Sequence, residues 1–240
     1  LAAILVAVLL PLYLRLFHYR PESKGLKTYG AAEVPDIKNL SPQAVATREH
    51  ESSDWTLRQA MHTYQLWFLI LAQFLYWGIG CYLILTHQVK FVEDVGYSGM
   101  FAVSVLAFYG IAMCVGQLSG MISDRIGREK AVILASVLAV SGLACLISVK
   151  DTSSPWLLYA YAVCFGYGAG LFGATVFAGA ADLFHGKHYG TIAGLLLAGM
   201  GLGGAIGPWL GGYLYDTSGS YDTAFTVCMV CIALASLSFW

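Results

Sequence analysis

The sequence predicts an all-α, polytopic membrane helical bundle, and three observations carry that expectation. Of the 240 residues, 58 % are hydrophobic and 11 % are charged, against about 25 % charged in a soluble domain. Several stretches free of Asp, Glu, Lys and Arg approach or exceed the roughly 20 residues that a helix needs to cross a bilayer. Basic residues crowd into every second connection between those stretches. The same figures exclude other classes. Thirteen basic and fourteen acidic residues nearly cancel, so no global charge points to nucleic acid. The apolar content excludes disorder, and six cysteines spread over 240 residues make no disulfide scaffold.

In chain order, the first apolar run is Leu1–Leu14. It opens without a Met, a basic start or a small-residue cleavage site, and the chain closes inside another apolar run. The expectation is a piece cut within two hydrophobic segments. The stretch Arg20–His62 holds Pro21, Pro35 and Pro42 among scattered charges and reads as a solvated connector. Its end, Asp54-Trp55-Thr56-Leu57-Arg58, reads as a helix start with Asp54 as N-cap. Trp55 and Trp67 are placed at headgroup level. Six charge-free runs follow: Tyr64–Val89, Gly99–Ser123, Ala131–Val149, Pro155–Ala181, Tyr189–Tyr215 and Thr223–Trp240. Backbone in lipid must satisfy its own hydrogen bonds, which leaves helices or closed barrel strands. Barrel strands are about 10 residues long with alternating polarity. These runs are longer and do not alternate, so they are helices.

Sidedness follows from the arginines and lysines. Arg15, Arg20, Lys24, Lys27, Lys38, Arg48, Arg58, Arg125, Arg128, Lys130 and Lys187 fall on one side, and Lys90 and Lys150 on the other. The positive-inside rule puts the first group in the cytoplasm. The cytoplasmic segments are then 20–62, 124–130 and 184–188.

One connection is more specific than its charge. Gly120-Met-Ile-Ser-Asp124-Arg125-Ile-Gly127-Arg128-Glu129-Lys130 is a tight turn between two helices. Gly127 permits a positive φ, Asp124 suits a helix N-terminus, and Arg125 and Arg128 can grip carboxylates or lipid phosphate. The positive-inside rule alone explains the arginines but not the glycines and the aspartate at this spacing. The run closely resembles the loop signature of the major facilitator superfamily, G-x-x-x-D-R-x-G-R-[KR], with Gly120, Asp124, Arg125, Gly127 and Arg128 matching and Glu129 departing. In that family the signature recurs between helices 8 and 9, behind a long central loop. The resemblance therefore implies the end of helix 6 at 1–19, the central cytoplasmic loop at 20–62 and a C-terminal six-helix bundle, helices 7–12, at 63–240. It further implies that Asp124, Arg128 and Asp182 cluster. Such a cluster would hold the cytoplasmic ends of helices 8, 10 and 11 together in the outward-open state, and inward opening must break it. A residue merely lying among headgroups is the other reading of Asp182.

A narrower resemblance concerns the approach to helix 7, Trp55-Thr-Leu-Arg-Gln-Ala-Met before Thr63-Tyr-Gln-Leu-Trp, and the turn Gly207-Pro208 through Phe225. Both look like monocarboxylate and oxalate/formate antiporter-type members. Those members often carry a basic residue in helix 8 or 11 for the substrate carboxylate, yet Gly99–Ser123 and Tyr189–Tyr215 hold no Lys or Arg. An anion-binding charge must then come from the N-terminal half, or the solute is not a simple carboxylate.

Within the spans, Gly199, Gly203, Gly207 and Gly211 recur every four residues, and Gly166, Gly168, Gly170, Gly173 and Gly179 populate helix 10. Such stripes admit a close neighbour, either as static packing or as a surface that slides. Pro208 is expected to bend its helix. Polar side chains inside spans tend to face the bundle interior or water. Gln73, Tyr76 and Gly80 share one face at helical spacing. The family places helices 7 and 10 along the central cavity, which makes Gln73, Tyr76, Tyr109 and Tyr167 the candidate substrate-binding residues, with interhelical hydrogen bonds as the alternative. Gln117, Tyr82 and Tyr161 are further polar span residues. His87 reads as a proton relay or an interfacial histidine. Cys228-Val-Met-Cys231 lacks His or carboxylate neighbours and is no metal site. GLGGAIG follows no strand and opens no nucleotide fold. No catalytic set is visible, so neither enzyme activity nor a cofactor is expected. The expected function is secondary active transport of a small organic solute across the cell membrane by alternating access. The expected partners are the lipid bilayer, helices 1–6 and a co-transported ion. A non-transporting receptor or scaffold of the same fold is the alternative.

Overall fold

A computed structural model describes residues 55–186 and 188–239. The expected end of helix 6 and most of the connector, including the proposed cap Asp54, lie outside the described residues. Every regular element among the described residues is helical.

The first, α1 (Leu57–Met61), is capped by Thr56 rather than by the aspartate read from sequence. Thr56 accepts from the Gln59 amide at 3.3 Å while the Gln59 side chain accepts from the Thr56 amide at 2.9 Å. This reciprocal box satisfies two orphan donors at once, and the Thr-x-x-Gln spacing encodes it. The Trp55 ring packs edge-on against Phe184 at 5.3 Å. The last residues of the connector are thus docked on the bundle and not merely solvated. Trp67 is exposed and donates its indole N–H to Met61 O at 3.0 Å.

Six longer helices follow: α2 (Tyr64–Asp94), α3 (Gly99–Ile126), α4 (Arg128–Ser148), α5 (Pro155–Leu183), α6 (Tyr189–Ser218) and α7 (Asp222–Ser238). Five of them are long and apolar enough to cross a membrane, and α7 is a shorter apolar helix. Several run past the charge-free stretches, since a helix continues into water once its apolar part has crossed the lipid. Thus α2 includes Lys90 and ends beyond it, with Lys90 Nζ paired to Asp94 at 2.5 Å on the next turn. Gly127, with φ 94°, separates α3 from α4. That backbone region is costly for any residue with a Cβ. α6 continues through Pro208 without a break.

The packing has an internal symmetry. α5 lies against α3 and α4, while α2 lies against α6 and α7. The first helix of each three-helix run therefore packs on the second and third helices of the other run. The two runs start from opposite ends of the bundle, so they form an inverted-topology pair of the kind found in transporters.

Small residues make this possible where hydrophobic force between helices is weak. A Cβ added to Gly203 would lie 2.5 Å from Phe74 O, and one added to Gly78 would lie 2.6 Å from the Gly203 Cα. Backbone meets backbone at that crossing of α2 and α6. Gly116 of α3 and Gly170 of α5 play the same part where those helices cross. The predicted stripe Gly199, Gly203, Gly207 and Gly211 is buried throughout and faces α2.

Candidate functional site

Two places among the described residues hold the polar residues singled out by the sequence beside open space. The first is a cavity of about 360 Å³ bordered by α2, α3, α5 and α6. Its α2 wall is Gln73, Trp77 and Tyr82, while α3 contributes Gln117. Gly173, Ala174 and Phe177 come from α5, and Met200 from α6. None of these carries a formal charge. Gln73 is fully buried, and neither its Nε2 nor its Oε1 has a partner among the described residues. A buried amide left this way costs on the order of 1–3 kcal/mol. Such a cost is tolerable where the group is held for something that binds.

The geometry of α2 decides which side chains border this cavity. Phe74–Cys81 is a π-helical stretch, with a wider turn than the flanking α-helix. A wider turn lowers the rotation per residue, so residue i+3 stops well short of the starting face while residue i+4 returns close to it. Gln73 therefore shares its face with Trp77, not with Tyr76. The sequence expectation of one face for Gln73, Tyr76 and Gly80 is corrected accordingly. Tyr76 is buried on the bundle side, stacked on Phe172 at 3.7 Å, with its hydroxyl 3.5 Å from Ala135 O. Gly80 faces Ile232 of α7. Trp77 lies over Gly173, where an added Cβ would meet its Nε1 at 3.2 Å. The missing side chain at Gly173 leaves room for the indole.

Of the other candidate residues, Tyr109 is buried on the bundle side against Phe165, its hydroxyl without a partner among the described residues. Tyr167 is half-buried, and its backbone oxygen meets α3 at Gly116. Neither borders the cavity. The sequence points to Gln73 as a candidate and to Tyr82 and Gln117 as further polar span residues, but it does not single out Trp77 or Phe177. An aromatic in an apolar span gives no signal of the direction it faces. Tyr161 donates to Gln88 Oε1 at 2.6 Å, an interhelical bond between α5 and α2. His87 is half-buried, with Nε2 3.0 Å from Pro208 O and the ring against Gly211.

The second place is the turn after α3. Arg128 Nη1 lies 2.6 Å from Asp124 Oδ1, and Nε donates to Asp182 Oδ2 at 2.8 Å. The Ser123 hydroxyl also accepts from Arg128 Nη1. One guanidinium thus ties the end of α3, the start of α4 and the end of α5. The resemblance had implied helices 8, 10 and 11. The structure replaces the last with the ninth, because Arg128 is itself the first residue of α4. Gly120 lets this end of α3 approach α5, where an added Cβ would lie 2.8 Å from the Ala174 Cβ. Arg125 is exposed and forms no ion pair among the described residues. A groove of about 300 Å³ beside the cluster runs between α2, α4, α5 and α7.

Comparison with known proteins adds family relationships. Residues 1–178 and, in a second match, 117–240 fit the family model described as Major Facilitator Superfamily. Monocarboxylate transporter 12 of Rattus norvegicus is 24 % identical over 218 residues, which is 86 % of this chain and 44 % of the relative. Its counterpart in Xenopus laevis is 28 % identical over 181 residues, 71 % of this chain and 39 % of the relative. The chain therefore spans less than half the length of these curated relatives. Among solved structures, the transporter FucP in its outward conformation aligns with 99 % of this chain and 64 % of its own, at 16 % identity and a TM-score of 0.62. At that identity the likeness concerns the fold.

Proposed function

The chain belongs to the Major Facilitator Superfamily, and from that membership we propose that it forms the C-terminal half of a secondary active transporter for a small organic solute. In this reading residues 1–19 end helix 6, 20–62 are the central cytoplasmic loop, and α2 to α7 are helices 7–12. The protein is an integral membrane protein, and the plasma membrane is its proposed location, with 20–62, 124–130 and 184–188 in the cytoplasm.

The observation that carries the reading is the neutral cavity at α2, α3, α5 and α6 with the unpartnered Gln73 amide at its edge. Transporters built from repeats place the solute near mid-membrane, between the two halves. Two further features support it. The 18-residue apolar windows of α3 and α6 are only 22 % and 28 % buried, against 67 % for α5. The exposed apolar side chains Phe108, Ile111 and Val115 on α3 and Leu202, Ile206 and Trp209 on α6 provide a surface for helices 1–6. The relatives named monocarboxylate transporter 12 favour an organic anion with one carboxylate.

Alternating access requires the two halves to rock, exposing the cavity first to one side and then to the other. In that cycle Arg128, Asp124 and Asp182 hold the cytoplasmic ends of α3, α4 and α5 as one body while the cavity faces outward. Gly120 and Gly127 set the turn that presents Arg128. Arg125 is assigned to the facing half or to lipid phosphate. Coupling is to an ion gradient or to exchange.

The test is uptake by the full-length protein in sealed vesicles, with and without an imposed proton gradient, across small carboxylates, sugars and amines. Saturable uptake of at least one class, with counterflow, is expected. Folded protein that gives neither would refute transport and leave a receptor of the same fold.

A further inference from the structure

We propose that the wall contributed by this half recognises an uncharged hydrogen-bonding group on a flat apolar or aromatic body, and that any charge on the solute points to the opposite half. The inference rests on the transport reading above and names the substrate class of its cavity.

Four observations carry it. The wall holds no Lys, Arg, His, Asp or Glu. Burying an ion against such a surface is costly unless it is paired. The Gln73 amide, with neither end partnered among the described residues, can donate one hydrogen bond and accept another. This matches the two-way demand of an amide or hydroxyl rather than the acceptor-only character of a carboxylate. Beside it, Trp77, Tyr82 and Phe177 present aromatic surface, and such rings favour stacked or edge-on partners. Finally, Gly173 lies beneath the Trp77 indole and keeps the space open. A cavity of about 360 Å³ falls at the small end of the range for small-molecule sites, which fits one ring and its substituents.

Recognition by paired neutral donors and acceptors is sharp. A site built to hydrogen-bond a polar group discriminates strongly against an analogue that lacks it, because the site's own buried groups stay unpaired. An apolar wall discriminates weakly among bodies of similar shape. Gln73 is therefore the specificity-determining residue, and Trp77 sets the shape.

The experiment uses purified full-length protein and four probes: phenylacetate, 4-carbamoylphenylacetate, 4-carboxyphenylacetate and 4-(aminomethyl)phenylacetate. Binding is read by calorimetry, and uptake of the same probes is measured in vesicles. The carbamoyl probe is expected to bind best. Gln73→Leu is expected to weaken it by about 5- to 20-fold while leaving phenylacetate within about twofold. Trp77→Phe keeps a ring and removes the N–H. It provides a second variant, expected to weaken every aryl probe and to fold even where Gln73→Leu does not.

Preference for the dicarboxylate or for the ammonium probe would overturn the proposal. So would equal losses of phenylacetate and the carbamoyl probe in Gln73→Leu, or no aryl binding at all. Selective binding without uptake would support the wall and refute transport. Uptake without Gln73 selectivity would support transport and refute the wall.

Discussion

Replacing Gly203 with alanine tests the α2–α6 crossing, because the cost can be worked from geometry. The new Cβ would stand 2.5 Å from Phe74 O and 2.7 Å from the Gly78 Cα, both backbone atoms. Ordinary contact begins near 3.4 Å, so one helix must move by roughly 0.7–0.9 Å, and no side chain can swing away to relieve it. Overpacking of this kind costs about 1–3 kcal/mol. Alanine also gains up to about 1 kcal/mol of helix propensity over glycine, which opposes the effect. Gly201→Ala separates the two terms. It lies two residues away on the same helix, and its added Cβ meets nothing within 4 Å. The propensity gain cancels in the difference between the variants, leaving the crossing term alone. At about 2–4 °C per kcal/mol for a cooperative unit the size of this six-helix half, Gly203→Ala is expected to unfold about 2–12 °C below Gly201→Ala. The assay is thermal unfolding of the full-length protein in detergent, followed by tryptophan fluorescence. Equal midpoints for the two variants would refute backbone-to-backbone packing at this crossing. If the seam also slides during transport, uptake by Gly203→Ala falls further than its folded fraction.

Three other outcomes follow from the same structure. Asp182→Asn removes one of two carboxylates on Arg128, and with both carboxylates 58 % exposed the pair is worth about 0.2–1 kcal/mol. The inward-open population should therefore rise by about 1.4- to 5-fold, read as faster labelling of a cysteine placed at Gln65 in the neighbouring groove. Unchanged labelling together with unchanged uptake would remove the gating role. Gly127→Ala forces a side chain into φ 94°, ψ 148°, a region essentially reserved for glycine, at a cost of about 1–3 kcal/mol. Its unfolding midpoint should drop while Gly194→Ala, whose added Cβ meets nothing within 4 Å, does not. A drop shared by both variants would contradict a conformational cause. Gly173→Val should displace the Trp77 indole into the cavity and weaken aryl-probe binding by about tenfold or more, with little change in thermal unfolding. Full retention of binding would show that the cavity lies elsewhere.

The membrane spans and the turn after α3 were legible because their signals are local. Length, apolar content and the alternation of basic connections are sums along the chain, and Gly127 answers to a backbone angle at its own position. The ion cluster was partly legible. Asp124 and Arg128 stand four residues apart across the break at Gly127, and the meeting with Asp182, which only the family resemblance implied, crosses 54 residues and depends on how α5 approaches α4. The capping of α1 was misread because an acidic residue drew attention from the Thr56 and Gln59 pair, although that pattern was present in the sequence.

The face each residue presents came only with the tertiary structure. The glycine stripe of α6 announced a close neighbour without naming it, and α2 is that neighbour through a crossing at Gly78. Gln73, Tyr76 and Gly80 shared one face under a 3.6-residue turn, and the π-helical stretch sends them to the cavity, to Phe172 and to Ile232 respectively. The physical reason is that apolar periodicity in a membrane span is weak: lipid and protein interior are equally oily, so the sequence records depth in the bilayer far better than rotation about the helix axis. Rotation is decided by where backbones can touch, which is a property of helix pairs and not of any one segment.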